Sequence, residues 1–235
     1  ANGISAGGSG FTVHDNDVSG ESHNIGIQAS GNDAGLCEVY NNNITFTDVT
    51  SALNVGKCVY AHDNRINVKG YGKGININGN NARACYNSVK VNHDDGISAL
   101  CSYALIDNNI VTTNNIGINI PAGSTGARYY NNTITNNRIT SENYGISVEG
   151  LVYNTVITDN IIETNNTEGI YIDVTDAKSN TQLDNMVNGV ILNSTAIIVN
   201  DDNFYEYFDR NGHLTYEFEE NKTKVIFLTF LTNKN

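Results

Sequence analysis

The sequence predicts an all-β protein: a right-handed single-stranded parallel β-helix of about eight coils with a small C-terminal capping segment. Two short motifs carry this prediction, because they repeat in phase along most of the chain. One is an asparagine followed two residues later by Ile or Val. The other is Gly-Ile or a close variant. A repeat of roughly 20 to 30 residues is typical of solenoids, in which each unit buries its apolar face on its neighbours.

The asparagine motif marks eight successive coils. Its asparagines are separated by 26, 22, 23, 21, 24, 28 and 25 residues. Residues two apart on a strand share a face, so the asparagine and the aliphatic residue after it are both predicted to point inward. At a corner the inward amides would bond to backbone groups and to one another from coil to coil. The predicted ladder comprises Asn16, Asn42, Asn64, Asn87, Asn108, Asn132, Asn160 and Asn185.

The Gly-Ile motif keeps the same period and precedes short alternating runs. The segment 74–78 (Gly-Ile-Asn-Ile-Asn) alternates Ile with Asn, which is the signal of a strand with one buried face. Asn, Thr, Gly, Ile and Val dominate the repeats, and all of them are mediocre or poor helix formers. The motif occurs at Gly3, Gly26, Gly74, Gly96, Gly117, Gly145, Gly169 and Gly189, with Ala52-Leu53 in its place once.

The coils follow one another without a break through residue 195. Residues 1–51 form the first two, residues 52–116 the most regular ones, and residues 117–168 the two longest. Extra length in a solenoid goes into loops that leave the rod, and we expect such loops around residues 121–126 and 136–140. The residue before each ladder asparagine, often Asp, is expected to face solvent.

Residues 196–235 are predicted to cap the open end of the rod. Residues 201–208 begin with capping side chains and place aromatic residues three and four apart, which predicts a short helix. Residues 214–219 and 225–231 then alternate as strands of a β-hairpin. We therefore divide the chain into a parallel β-helix at 1–195 and a cap of helix plus hairpin at 196–235.

Composition narrows the range of partners. The 235 residues carry 13 basic and 25 acidic side chains, for a net charge of −12. Phosphate binding needs basic patches, so nucleic acid is not expected as a partner. No apolar run is long enough to cross a bilayer, and we expect no membrane insertion in this segment.

The four cysteines leave two interpretations open. They are small buried apolar residues, or Cys37 and Cys58, which nearly stack on adjacent coils, form a disulfide. No Cys-x-x-Cys spacing occurs, so no zinc site is predicted. We predict no cofactor and no metal site, with calcium left open, because the Asp residues that face outward lie mostly two coils apart.

Candidate catalytic residues are sparse. Asp94-Asp95 and Asp173 with Asp176 are the acids considered for glycoside cleavage, and we expect them on solvated faces. His14 and His62 share one register two coils apart and are expected to be surface residues. No catalytic residue is therefore predicted.

The coils resemble the parallel β-helix repeats of pectate-lyase-like proteins. Residues 202–209 (Asp-Asn-Phe-Tyr-Glu-Tyr-Phe-Asp) and 211–214 (Asn-Gly-His-Leu) after Asn-rich coils resemble the adhesin-like surface proteins of methanogenic archaea. That resemblance implies an archaeal, extracellular, cell-surface protein with a role in attachment or envelope structure. The glycoside hydrolases of this fold use Asn-Thr-Asp, Asp-Asp and Gly-His-Gly motifs, and of these the chain has only Asp-Asp, at 94 and 201.

The leading hypothesis is a non-catalytic, adhesin-like surface module, a rigid rod that offers Tyr129, Tyr130 and Tyr153 to a cell-surface glycan or protein. One alternative is a polysaccharide lyase or glycoside hydrolase, which a cluster of three acids or an acid–Arg pair in a groove would favour. The other is a self-assembling fibre, tailspike or envelope subunit, which self-association in a periodic lattice would favour.

Overall fold

The computed structural model describes residues 2–32, 35–124, 126–166, 168–174, 180–197, 205–208, 214–217 and 226–232. Within these residues every regular element is a strand, which confirms the predicted all-β class. In chain order the strands are β1 (Asn2–Gly8), β2 (Thr12–His14), β3 (Asp17–Gly20), β4 (His23–Gly31), β5 (Cys37–Tyr40), β6 (Asn43–Phe46), β7 (Val49–Val55), β8 (Val59–His62), β9 (Arg65–Val68), β10 (Lys73–Ile77), β11 (Arg83–Cys85), β12 (Ser88–Val91), β13 (Ile97–Ala99), β14 (Leu105–Asp107), β15 (Ile110–Thr113), β16 (Ile118–Ile120), β17 (Tyr129–Tyr130), β18 (Thr133–Thr135), β19 (Arg138–Ser141), β20 (Ile146–Gly150), β21 (Val152–Tyr153), β22 (Val156–Thr158), β23 (Ile161–Thr164), β24 (Ile170–Val174), β25 (Thr181–Val187), β26 (Val190–Ile197), β27 (Tyr205–Phe208), β28 (Leu214–Glu217) and β29 (Ile226–Thr232).

The strands form a parallel β-solenoid of about eight turns. Sheet A is eight-stranded, in the order β1-β4-β7-β10-β13-β16-β20-β24. Sheet B stacks β2, β5, β8, β11, β14, β18 and β22, and sheet C stacks β3, β6, β9, β12, β15, β19 and β23. Strand β25 pairs with both β22 and β23 and so joins sheets B and C. The right-handed winding stays a prediction.

Each turn contributes one strand to each sheet, and alternate residues fill the interior. In the turn made by β8, β9 and β10, Ala61, Ile66 and Ile75 are each at most 1% exposed and belong to one continuous core. The equivalent residues of the next turn, such as Ala84 and Val89, stack directly on them. Burial of this aliphatic interior is the main stabilising term of the rod.

The glycines of the Gly-Ile motif, except Gly189, lie in or just before the strands of sheet A, where there is no room for a side chain. Gly189 lies in the turn between β25 and β26, where a Cβ would meet no other atom. A Cβ on Gly96 would collide with Val111 Cγ1 and would lie 2.7 Å from the carbonyl oxygen of Gly117. The same row has Ala52 in one turn, where the alanine is fully buried. The motif therefore marks a close approach between the start of sheet A and the side chains of sheet C.

The C-terminal segment differs from the prediction. Tyr205–Phe208 is strand β27 and not part of a helix, and residues 201–204 lie outside the described part of the chain. Its alternating Tyr-Glu-Tyr-Phe sequence satisfies the period of a strand as well as the aromatic spacing of a helix.

The predicted hairpin is also wrong, because its two strands have other partners. Strand β28 pairs antiparallel with β27, and β29 pairs antiparallel with β26. Strand β26 in turn extends the solenoid by pairing antiparallel with β25. It runs through the predicted domain boundary at residue 195, so that boundary cuts a strand.

Candidate functional site

A column of buried asparagines runs through all eight turns at the corner between sheets B and C. From Asn16 to Asn160, each Nδ2 donates to the Oδ1 of the asparagine one turn on, at 2.8–3.0 Å. The same Oδ1 accepts the backbone N–H of the asparagine below it, as Asn87 Oδ1 does from Asn64 at 3.0 Å. Asn64 Nδ2 also donates to the carbonyl oxygen of Val39 in the preceding turn, at 2.8 Å. The ladder comprises Asn16, Asn42, Asn64, Asn87, Asn109, Asn137, Asn160 and Asn185.

Two of the predicted ladder positions are wrong. Asn109 occupies the position predicted for Asn108, and Asn137 the position predicted for Asn132. Asn109 and Asn137 each precede an aliphatic residue by two places, as Asn108 and Asn132 do, so the motif alone does not show which asparagine belongs to the ladder. Asn137 lies in the segment 136–140 that was expected to leave the rod. The loop between β16 and β17, which includes Pro121, contains the extra residues of this turn.

Asn132 belongs instead to a second buried corner, where sheet B begins. Its Oδ1 accepts the backbone N–H of Ala104 at 2.9 Å, and its Nδ2 donates to the carbonyl oxygen of Cys101 at 3.1 Å. Asn180 repeats this role two turns on by accepting the backbone N–H of Thr155 at 2.7 Å. The parallel register places Asn132, Thr155 and Asn180 in one column.

The residue before each ladder asparagine has left-handed backbone geometry. Its φ lies between 53° and 57° in all eight turns. Asp and Asn tolerate this region better than other side chains, which explains their preference at this position. Tyr86 is the exception to this preference for Asp and Asn, and it has a φ of 57° and an exposed ring. The eight residues are Asp15, Asn41, Asp63, Tyr86, Asn108, Asn136, Asp159 and Asp184.

Of the two interpretations of the cysteines, the Cys37–Cys58 disulfide is not formed. The register places Val59 opposite Cys37, so Cys58 falls at the preceding corner, where its φ is 55°. Burial raises the pKa of the Cys85 thiol to about 11 and that of Cys101 to about 12. These two thiols therefore stay protonated at neutral pH, as small buried side chains.

The structure brings two of the three predicted tyrosines together. Tyr130 and Tyr153 pair in register on β17 and β21, and their rings stack with centroids 5.1 Å apart at an angle of 15°. Tyr129 points to the other face and packs against the core. Arg128 lies beside the stacked pair, and its hydrogen bond with Tyr130 raises the pKa of the guanidinium. The stacked pair offers an aromatic edge next to a cation.

A second aromatic stack lies on the outer face of sheet B. His14, Tyr40 and His62 occupy one position in three successive turns, with ring centroids 4.9 and 5.1 Å apart. Each histidine Nδ1 lies near the carboxylate of the following residue, at 2.7 Å from Asp15 and 2.8 Å from Asp63. Tyr40 separates the two histidines, so they do not converge on one ligand.

The outer face of sheet A carries an uninterrupted row of uncharged hydrogen-bonding side chains, which we call the amide row. It consists of the polar residue that follows each Gly-Ile pair or its variant, a signal that is present in the sequence and that the sequence prediction missed. Ser147 donates to Glu149 at 2.9 Å and Tyr171 to Asp173 at 3.4 Å, and these carboxylates place the row on the outer face. From β4 onward the row comprises Gln28, Asn54, Asn76, Ser98, Asn119, Ser147 and Tyr171, and Ser5 of β1 lies in the same register one turn earlier.

Asp95 lies beside the amide row and is not on a solvated face as expected, being only 5% exposed. Its carboxylate oxygens accept from Asn115 Nδ2 at 2.8 Å and Asn119 Nδ2 at 2.7 Å. Burial raises the pKa of Asp95, with a further contribution from Asp94, while the amide bonds and Lys73 act in the opposite direction. Lys73 Nζ reaches Ser98 Oγ at 3.1 Å.

In the described part of the chain no group of three or more His, Cys, Asp or Glu side chains is placed to hold a metal ion. The expectation of no cofactor, with calcium left open, stays a prediction. None of the described elements is a helix long and apolar enough to cross a membrane. Comparisons with protein-family models, with curated proteins and with solved structures found no match.

Proposed function

We propose that this protein is a non-catalytic, adhesin-like module of a cell surface, a rigid rod that presents polar and aromatic side chains to an extracellular glycan or protein. The observation that carries the proposal is the unbroken asparagine ladder from Asn16 to Asn185. It fixes each turn in register with the next, so that side chains on the outer faces recur at one-turn intervals of about 4.8 Å.

A surface held in this way is suited to binding because little of it has to be ordered when a partner arrives. The amides that fix the corner are at most 1% exposed from Asn42 onward and are fully hydrogen-bonded, so they stiffen the rod without contacting a ligand. Binding then depends on the outer faces and the loops. The resemblance to archaeal adhesin-like proteins supports the same role.

The stacked tyrosines of β17 and β21 are the first surface to test. Aromatic side chains supply a large contact area at low conformational cost and also carry a polar group. Tyr130 and Tyr153 are partly buried and pre-stacked, and Arg128 adds hydrogen-bond donors. We expect a glycan or protein partner to contact this pair.

Binding of the intact protein to a glycan array is the experiment that tests this function. Tyr130→Ala and Tyr153→Ala should each weaken the strongest array signal, whereas Tyr71→Ala, which removes an exposed tyrosine before β10, should not. Equal array signals from all three variants would show that the tyrosine pair does not contact the glycan. An absence of any glycan or surface-protein ligand would contradict the attachment role.

A carbohydrate-active enzyme is the second candidate, and one observation favours it. Asp95 is a buried carboxylate with a raised pKa, near a lysine, in the turn between β12 and β13 beside the amide row. Such perturbed acids are enriched at catalytic sites. Release of reducing ends from a polysaccharide panel, abolished by Asp95→Asn, would establish this activity and contradict the non-catalytic role.

A further inference from the structure

The amide row differs from the outer rows of the other two sheets. One outer row of sheet B mixes charged, aromatic and aliphatic residues, as in Glu38, Tyr60 and Arg83 in successive turns. One of sheet C mixes Arg65 with Ser88 and Ile110. The amide row contains only amides and hydroxyls over seven turns, about 29 Å at the spacing of parallel strands. Its uniform chemistry suits a polymer that repeats along the rod.

Two oxygens of the row lack a hydrogen-bond donor although they are buried, namely Asn76 Oδ1 and Asn119 Oδ1. Asn119 as a whole is only 8% exposed. Its orientation is set by Asp95, since a carboxylate requires the Nδ2 side of the amide. Asn76 is oriented by donating its Nδ2 to Asn54 Oδ1 at 3.1 Å. A buried acceptor without a donor is unfavourable, and a bound hydroxyl would satisfy it.

The ammonium group of Lys73 lies at the centre of the row. Ser98 separates Asn76 from Asn119 in the row, and Lys73 Nζ contacts the Ser98 hydroxyl. The lysine side chain is only partly buried and has a long flexible stem. Its rotation away from Ser98 would expose the Ser98 hydroxyl at the centre of the row.

We propose that the amide row is the binding site for a neutral, hydroxyl-rich polysaccharide lying along the rod axis. Ligand hydroxyls displace Lys73 from Ser98 and donate to Asn76 Oδ1 and Asn119 Oδ1. These two positions are two turns apart, about 9–10 Å, which an extended disaccharide unit spans. This inference rests on the function proposed above and deepens it by naming a face of the rod and a ligand class.

Charge around the row argues for a neutral ligand. Asp95, Glu149 and Asp173 flank it, and the whole chain carries a net charge of −12, so a polyuronate would be repelled. Lys73 at the centre disfavours a cationic ligand. Hydroxyl groups both donate and accept, which matches the unfilled amide oxygens and the Ser98 hydroxyl.

The test is calorimetric titration of the intact protein with neutral hexasaccharides of glucose, mannose, galactose or N-acetylglucosamine, and with hexagalacturonate. Asn76→Ala is preferred to Asn119→Ala because Asn119 supports the buried Asp95. The matched control is Asn67→Ala, which alters an outer row of sheet C in the same turn. Melting temperatures of all variants establish that the fold is retained.

We expect at least one neutral hexasaccharide to bind, and Asn76→Ala to weaken it about 3- to 10-fold, the value of one hydrogen bond. Asn67→Ala should leave the affinity unchanged, and Lys73→Met should keep or increase it. Hexagalacturonate binding that Lys73→Met abolishes would overturn the ligand class. If Tyr130→Ala abolishes binding and Asn76→Ala does not change it, the amide row is not the binding site, but the proposed function still stands. If none of the neutral hexasaccharides binds, the proposal that the amide row binds a neutral polysaccharide is wrong. The glycan array then tests the proposed function separately.

Discussion

At the scale of single residues, asparagine is selected twice for different reasons. Inside the corner its amide both donates and accepts, so one amide oxygen accepts both the backbone N–H and the side-chain Nδ2 of the asparagine in the preceding turn. One residue earlier the backbone is left-handed, and Asp or Asn tolerates that region. Where two asparagines stand side by side, as at 108 and 109, composition does not distinguish the two roles. This is why the predicted ladder was wrong there.

Tyr86 offers a test of the second role. A bulky side chain in the left-handed region costs about 1–2 kcal/mol, and Asn reduces that cost. Tyr86→Asn should therefore raise the free energy of unfolding by about 0.5–1 kcal/mol, measured by chemical denaturation. Asp159→Asn, at the same corner three turns further on, is the control and should change stability little. A loss of stability in Tyr86→Asn would mean that the exposed ring contributes more than the strain.

At the scale of strands, the period-two alternation predicted the solenoid elements well. Strands such as β9 and β12 bury alternate residues as their sequences indicate. The alternation failed in the cap, because it marks a strand without naming its partner. The pairing of β28 with β27 and of β29 with β26 depends on long-range contacts that no local pattern contains. The amide row was missed for a related reason, since its pattern appears only when seven turns are aligned.

The Gly-Ile motif gives a prediction at this scale. Gly96→Ala places a methyl group against Val111 and the backbone oxygen of Gly117, and such overpacking costs about 1–3 kcal/mol. Gly7→Ala, in β1, meets only the Ser30 oxygen at 3.7 Å and should be neutral or slightly stabilising. Thermal denaturation of the two variants makes the comparison. Equal melting temperatures would show that the entrance to sheet A is not closely packed.

At the scale of the whole molecule, the structure is a stack in which each turn contacts mainly its neighbours. Stability is then the sum of the individual turns and of the interfaces between them. The ladder crosses every interface from Asn16 to Asn185, so it links the local repeat to the stiffness of the rod. The proposed attachment role and the amide row both depend on that register, because a rod that bends or slips would not hold its outer rows in line.

The free energies of unfolding of Asn109→Ala and Asn108→Gly test this account most directly, because the two sites are adjacent and only one belongs to the ladder. Asn109→Ala leaves the Asn87 backbone N–H and amide without their acceptor and should cost about 2–5 kcal/mol. Asn108→Gly keeps the left-handed corner and should change stability by less than about 0.5 kcal/mol. If Asn108→Gly costs as much as Asn109→Ala or more, the amides do not form the continuous column described here.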